Sequence, residues 1–461
     1  MSHSRPEGAI RSLDAGEGTV WPVPRRASQP VEAATGAARS ILPLALTANA
    51  IRPVSRTGPI GAWAFWPGWH VSELPLATLA VQLAGTGRFV RRRGWRTPAG
   101  STRLLAQAAS AAGLIALQQS AADSGRVLEE ALDHGLGTGY RKHAEEAGIA
   151  PPEHPAVGAW GVMPTYIARR SRLRASGINY GPAGKRNLLD IWAREDLPAD
   201  GKAPVLIQVP GGAWVSGETR WQAYPLMDRL IEAGWVCVPI NYRLSPRATW
   251  PDHIIDVKRA IGWIKANIGR YGGDPDFVAI TGGSAGGHLS SLAAMSANAP
   301  EFQPDFEEAD TSVQAAVPFY GVYDLADWDD KGGPPRTIRF VERVLLKSRL
   351  ASDPERWRLA SPIGWVSEAA PPTMLIHGTN DSLVPVESAR RMARALRERS
   401  RQPVVYAELP HAQHAFDIYA SLRTRHTVRA VERFLAYVRA TAQAPPAATS
   451  SSSKDTLSAS A

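Results

Sequence analysis

Cysteine occurs once in the 461 residues, at Cys237. An internal disulfide and a cysteine-based zinc site are therefore both excluded. Long apolar runs are also missing, since none reaches the roughly 18 residues that a conventional membrane-spanning helix needs. Lysine is scarce, 8 residues against 44 arginines, a bias we attribute to a GC-rich coding sequence and not to function. There is no Gly-Lys-Ser/Thr for a phosphate loop, and the glycines do not fall at G-x-G-x-x-G. No internal repeat is visible. What remains is 44% apolar residues, enough for a substantial core and incompatible with wholesale disorder.

The net charge of +9 is uneven. Residues 1–180 hold 20 Lys/Arg against 12 Asp/Glu, whereas residues 181–461 hold 32 against 31. No nucleic-acid motif accompanies the one dense basic cluster, Arg88, Arg91, Arg92, Arg93 and Arg96, so no nucleic-acid partner is expected. Residues 1–55 read as a tail rich in Ala, Ser, Pro, Gly and Arg. Arg25-Arg26 with Ile41–Leu46 and Ala48-Asn49-Ala50 only loosely imitate an export signal. The expected location is cytoplasmic or peripheral to a membrane.

Residues 56–140 read as helical. Trp63, Phe65, Trp66 and Trp69 crowd together. Ser72 looks like an N-cap for a helix through Leu74 to Leu83, ended by Gly85 and Gly87. Ser101 looks like the cap of a second helix, and a third ends near Gly135. This region fits either a cap on the main domain, the reading we favour, or an interfacial membrane anchor.

From about residue 176 apolar strands alternate with helices, near Pro204–Val209, Trp235–Ile240, Phe277–Ile280, Ala315–Phe319, Met374–His377 and Val404–Leu409. That pattern predicts an α/β fold with a mostly parallel sheet covered on both faces. The expected organisation is a catalytic domain over 141–441, a cap insertion at about 325–362 carrying Trp328, Phe340, Val344 and Leu345, and a tail over 442–461.

One strand runs into Gly282-Gly283-Ser284-Ala285-Gly286-Gly287-His288 and then a helix. This is G-x-S-x-G in its required strand–turn–helix setting. A serine hydroxyl is a weak nucleophile and must project from a sharp turn, which small flanking residues permit. The helix N-terminus beyond it favours developing negative charge. An oxyanion hole is expected from the backbone N–H groups of Gly211 and Gly212, after the strand Pro204–Val209, and of Ala285. The chain order Ser, Asp, His places the orienting acid at Asp381, with Asp324 as the lesser candidate. The base is His411 or His414, which the residues alone do not separate. Such a triad forms an acyl-enzyme that water then cleaves.

The motifs GGAW at 211–214, Asn241 to Pro246, Pro251-Asp252 with Asp256, GGSAGGHL at 282–289, HGTND at 377–381 and HAFD at 414–417 resemble those of hormone-sensitive-lipase-like bacterial esterases of the α/β-hydrolase superfamily. The resemblance covers roughly 176–440. It implies an α/β-hydrolase fold and cofactor-free, metal-free hydrolysis of small-molecule or lipid carboxylic esters. It also selects His414 as the base. Trp214, Tyr320 and Phe416 are the expected pocket residues. Pro210 stands where this family usually has His, which raises the question of how the oxyanion loop is braced. The enzymatic alternative is an arylformamidase-like amidase. The alternative of another class is a non-catalytic scaffold held at a membrane.

Overall fold

The computed structural model describes residues 29–56, 58–137, 139–146, 167–218, 222–326 and 335–443. Arg25-Arg26, Trp328 and the expected tail from 444 onward lie outside them. Five N-terminal helices come first: α1 (Gln29–Ile51), α2 (Gly58–Glu73), α3 (Pro75–Arg93), α4 (Pro98–Leu136) and α5 (Tyr140–Glu146). Eight strands follow: β1 (Leu173–Asn179), β2 (Leu188–Trp192), β3 (Ala203–Val209), β4 (Val236–Pro239), β5 (Gly273–Gly283), β6 (Ala315–Phe319), β7 (Thr373–Gly378) and β8 (Val404–Leu409). Between and after them run α6 (Tyr224–Glu232), α7 (Asp252–Asn267), α8 (Ala285–Met295), α9 (Pro335–Phe340), α10 (Pro354–Ala360), α11 (Val386–Arg399) and α12 (Leu422–Gln443).

The strands form one sheet in the order β1-β2-β4-β3-β5-β6-β7-β8. The β1–β2 and β2–β4 pairs are antiparallel and the others parallel. β3 is buried at every position, as a central parallel strand covered on both faces must be. Its Val205, Ile207 and Val209 join the core under α7, α8 and α11. Leu206 points the other way, toward α6, α12 and the C-terminal half of α4. The expected mostly parallel α/β architecture is present.

The N-terminal helices differ from the expectation in ways that have local causes. Gln29–Ile51 is a helix, not a tail; Thr47 bonds Ser110 of α4 at 2.7 Å, and Ala50 is buried with Leu114 and Leu117. Ser72 closes α2 instead of opening a helix, because Pro75 takes the first turn of α3, where its missing N–H costs nothing. Gly85 and Gly87 lie inside α3, which runs on into the arginine cluster. The last-turn arginines complement the helix dipole. Thr97, not Ser101, caps α4 by accepting the Gly100 N–H, and the second and third expected helices are one 39-residue helix. No helix among the described residues is long and apolar enough to cross a membrane.

α4 belongs to the fold and is not an appendage. Leu128 and Leu132 are fully buried against the sheet and α12. At Gly135 a Cβ would meet the Val404 carbonyl oxygen at 2.7 Å, so only glycine allows the helix to approach β8 this closely.

Candidate active site

Ser284 sits between β5 and α8 with φ 58° and ψ −121°, a conformation that side-chain-bearing residues rarely adopt. Its N–H donates to the Phe319 carbonyl at 3.0 Å, and its own carbonyl accepts the His288 N–H at 2.9 Å. A Cβ at Gly282 would come within 2.5 Å of Gly286, and one at Gly286 within 2.1 Å of the Val209 oxygen. The two glycines of the motif are therefore steric requirements of the turn. Ser284 remains half-buried, at the mouth of the turn.

The structure brings Asp381 and His414 together. His414 Nδ1 lies 2.7 Å from Asp381 Oδ2, while Oδ1 accepts the N–H groups of Leu383 and Val384 at 2.9 and 2.8 Å. Asp324 instead accepts the Ala326 N–H. His411 faces α4, where its Nδ1 lies 3.0 Å from the Ser120 hydroxyl. The structure thus pairs His414 with Asp381, while Asp324 and His411 are engaged elsewhere.

The family described as BD-FAE matches residues 189–396. The chain is 50% identical over 404 residues to the probable carboxylic ester hydrolase LipM of Mycobacterium tuberculosis, covering 87% of this chain and 92% of LipM. The chain belongs to this family of α/β-hydrolase carboxylic ester hydrolases. Esterase LipQ of the same organism is 53% identical over 270 residues, covering 59% of this chain and 64% of LipQ. A truncated carbohydrate esterase from gut microbiota shares the fold, with a TM-score of 0.50 and 24% identity over 57% of this chain and 98% of that one.

In this esterase, burial pushes the Asp381 carboxyl upward. The charge of His414 and hydrogen bonds from His377 and His414 outweigh burial and hold it well below the usual carboxylate range. An ionised Asp381 accepts, so in its neutral form His414 carries its proton on Nδ1 and leaves Nε2 as an acceptor. The unfolded chain then binds a proton at this residue more readily than the folded one, so stability rises with pH in the acid range. The contribution is complete above pH about 4 and is lost as pH falls below it. Asp381→Asn should accordingly flatten the acid limb of the stability–pH curve, read by urea melts at stepped pH.

In the loop expected to supply oxyanion donors, one donor already has a partner. The Gly211 N–H is already committed to Gln222 Oε1 at 2.7 Å, because a long side chain from beyond the loop folds back over it. Gly212 and Ala285 are the expected donors for which no such partner is found among the described residues. Pro210 is braced by Tyr242, whose hydroxyl donates to the Pro210 carbonyl at 2.9 Å. Next to Tyr242, Arg243 is clamped by Asp252 and Asp256 at 2.8 and 2.9 Å. The motif residues Tyr242, Arg243, Asp252 and Asp256 thus form a network behind Pro210.

The expected pocket residues are all buried. Trp214 donates its indole N–H to His288 Nδ1 at 3.2 Å, and His288 Nε2 donates to the Ala360 carbonyl at 2.7 Å. Burial lowers the His288 pKa to about 4, so this bridge is neutral. Tyr320 donates its hydroxyl to Asp417 and lays its ring 4.6 Å from that of His414. Phe416 is enclosed by Phe319 and Tyr320.

Sequence reasoning missed the contribution of α2. Phe65 places its ring 6.3 Å from that of His414, edge on, and Trp69 donates its indole N–H to the Ala415 carbonyl at 2.9 Å. The Ser382 hydroxyl donates to the Gly61 carbonyl at 3.1 Å. Asn380 donates to the Ala50 and Ile51 carbonyls at the end of α1, at 3.0 and 2.8 Å. Within the cap insertion expected at about 325–362, Val341, Leu345 and Trp357 are buried in the main core. His377, a second donor toward Asp381, lies 3.2 Å from it; the HGTND motif was the available signal.

Proposed function

We propose that this ester hydrolase works through Ser284 as nucleophile, His414 as general base and Asp381 as the group that orients the imidazole and balances its charge. The observations that carry this reading are the Asp381–His414 hydrogen bond and, at the strand–helix turn, a serine held at positive φ. Ser284 Oγ attacks the ester carbonyl carbon, and His414 Nε2 takes its proton. The backbone N–H groups of Gly212 and Ala285 stabilise the oxyanion. The alcohol leaves with the proton from His414, and water then cleaves the acyl-serine by the same steps in reverse. Each proton returns to where it began, so no co-reactant other than water is needed.

The wall beside the base is apolar, built from Phe65 on α2, with Trp63 and Trp66 exposed on the same helix. This favours lipophilic carboxylic esters taken up at a membrane surface, with residues 56–140 acting as the cap. A fluorophosphonate probe should label the chain at Ser284, located by peptide mapping, and p-nitrophenyl esters should turn over much faster than an N-formyl arylamine. Labelling elsewhere in folded protein would refute the assignment of the nucleophile. Preferential turnover of the formamide would move the reading to the amidase alternative.

A further inference from the structure

We infer that the tip formed by α1, the α3–α4 turn and the start of α4 docks on the surface of an anionic lipid bilayer. The inference rests on the peripheral-membrane reading above and names the surface and the lipid charge it would require.

Three helices meet at this tip. Arg103 of α4 donates to the Arg39 carbonyl of α1 at 2.6 Å and to the Thr86 hydroxyl of α3 at 2.9 Å. Ser40 of α1 donates to the Ala99 carbonyl at 3.3 Å. Around this buried junction, beside exposed Thr97, Ser101 and Thr102, two groups of exposed side chains stand out. One is apolar: Ile41 and Leu42, each 51% exposed, Trp95 at 57% and Leu105 at 73%. The other is cationic: Arg88, Arg91, Arg92, Arg93 and Arg96, all exposed. Arg96 stacks on Trp95 at 4.4 Å from the ring centroid.

Acid is almost absent here. Between residues 33 and 122 the chain has nine arginines and a single carboxylate, Glu73. That carboxylate is buried against Arg423, so it offers no counter-charge at the surface. A cluster of guanidinium groups with no acid among them complements an anionic surface. Tryptophan and leucine beside them suit the headgroup–acyl boundary, where an aromatic ring anchors and an aliphatic side chain enters the hydrocarbon. A nucleic-acid backbone would use the arginines and leave Ile41, Leu42 and Leu105 exposed to water, so lipid is the better match.

The tip lies well away from the chemistry. From Arg103 to Ser120, which donates to the Pro410 carbonyl in the His414 loop, the helix rises about 25 Å at 1.5 Å per residue. Substitutions at the tip should therefore leave turnover of a water-soluble ester unchanged.

The test uses the full chain and sedimentation with two vesicle types, pure phosphatidylcholine and an equimolar mixture with phosphatidylglycerol. The chain should sediment with the anionic vesicles only. The combined variant Arg91→Glu, Arg92→Glu, Arg93→Glu should lower that binding by about tenfold or more, as should Trp95→Ser with Leu105→Ser. Hydrolysis of a short-chain soluble ester, measured on the same samples, should stay within about twofold, showing that each variant is folded. If the chain binds anionic vesicles and these variants bind equally well, the tip is the wrong surface while membrane association stands. If the unaltered chain binds neither vesicle, both readings fail. Arginine-dependent binding of duplex DNA without vesicle binding would also overturn the proposal.

Discussion

Ser284→Ala should lower kcat/KM for a carboxylic ester by roughly four to six orders of magnitude while leaving the thermal transition nearly in place. The residual rate over water would come from the oxyanion donors and substrate binding alone. The stability expectation follows from the backbone. Alanine keeps the strained φ of 58°, so removing the hydroxyl relieves nothing. Ser284→Gly separates the two roles, since glycine adopts this conformation freely. It should be as inactive as alanine and yet more stable than the parent by about 1–3 kcal/mol, the cost of one residue held in a sparsely populated region. Ester turnover and urea melts on both variants check the pair. Substantial activity in Ser284→Ala would remove the serine from the mechanism. A Ser284→Gly variant no more stable than the parent would mean the turn stores no strain.

The turns that carry the proposed catalytic residues were legible because their signals are largely local. Gly282 meets Gly286 at 2.5 Å within one strand–turn–helix unit, and that requirement is written in consecutive residues, whereas the 2.1 Å contact of Gly286 is with the Val209 oxygen of β3, far away in the chain. Asp381 and His414 likewise sit in loops immediately after β7 and β8. The parallel sheet was legible from runs such as Ala203–Val209, buried on both faces. The N-terminal helices were not, because their signals compete. Gly85 and Gly87 read as stops, yet exposed glycines inside a helix cost only about 1 kcal/mol each. The rest of α3 outweighs that by packing Gln82 and Thr86 against α1 and α4. Gly113 shows the opposite case: a Cβ there would come within 2.7 Å of the Thr47 side chain, so the residue permits a helix contact instead of ending a helix. Gln222 closing on Gly211, and Phe65 meeting His414, join residues far apart in the chain. Spacing alone contains no record of such contacts.

Glu73→Gln should destabilise the protein by about 3–5 kcal/mol, and by clearly more than Arg423→Met. Glu73 at the end of α2 and Arg423 in α12 form an ion pair with neither side chain exposed. Ser421 donates to Glu73 Oε2 at 2.7 Å, and Arg423 donates to the Ser72 and Pro410 carbonyls at 3.4 and 3.2 Å. The pair therefore joins α2, α12 and the loop that carries His414. The two partners respond differently to being left alone. Arginine holds its proton at any accessible pH, so Glu73→Gln strands a buried cation. Burial already pushes the Glu73 carboxyl above its ordinary value despite Arg423 beside it, so without Arg423 the acid takes up a proton and stays as a neutral, hydrogen-bonded group. Arg423→Met replaces the guanidinium stem with apolar volume, which limits the loss further. Urea melts at neutral pH give the ordering. Equal losses, or a larger loss for Arg423→Met, would show that the hydrogen bonds to Ser72 and Pro410 outweigh the charge. In either variant the ester activity that survives reports how far the His414 loop depends on α2. The contacts of Trp69 with Ala415 and of Gly61 with Ser382 predict that turnover falls together with stability.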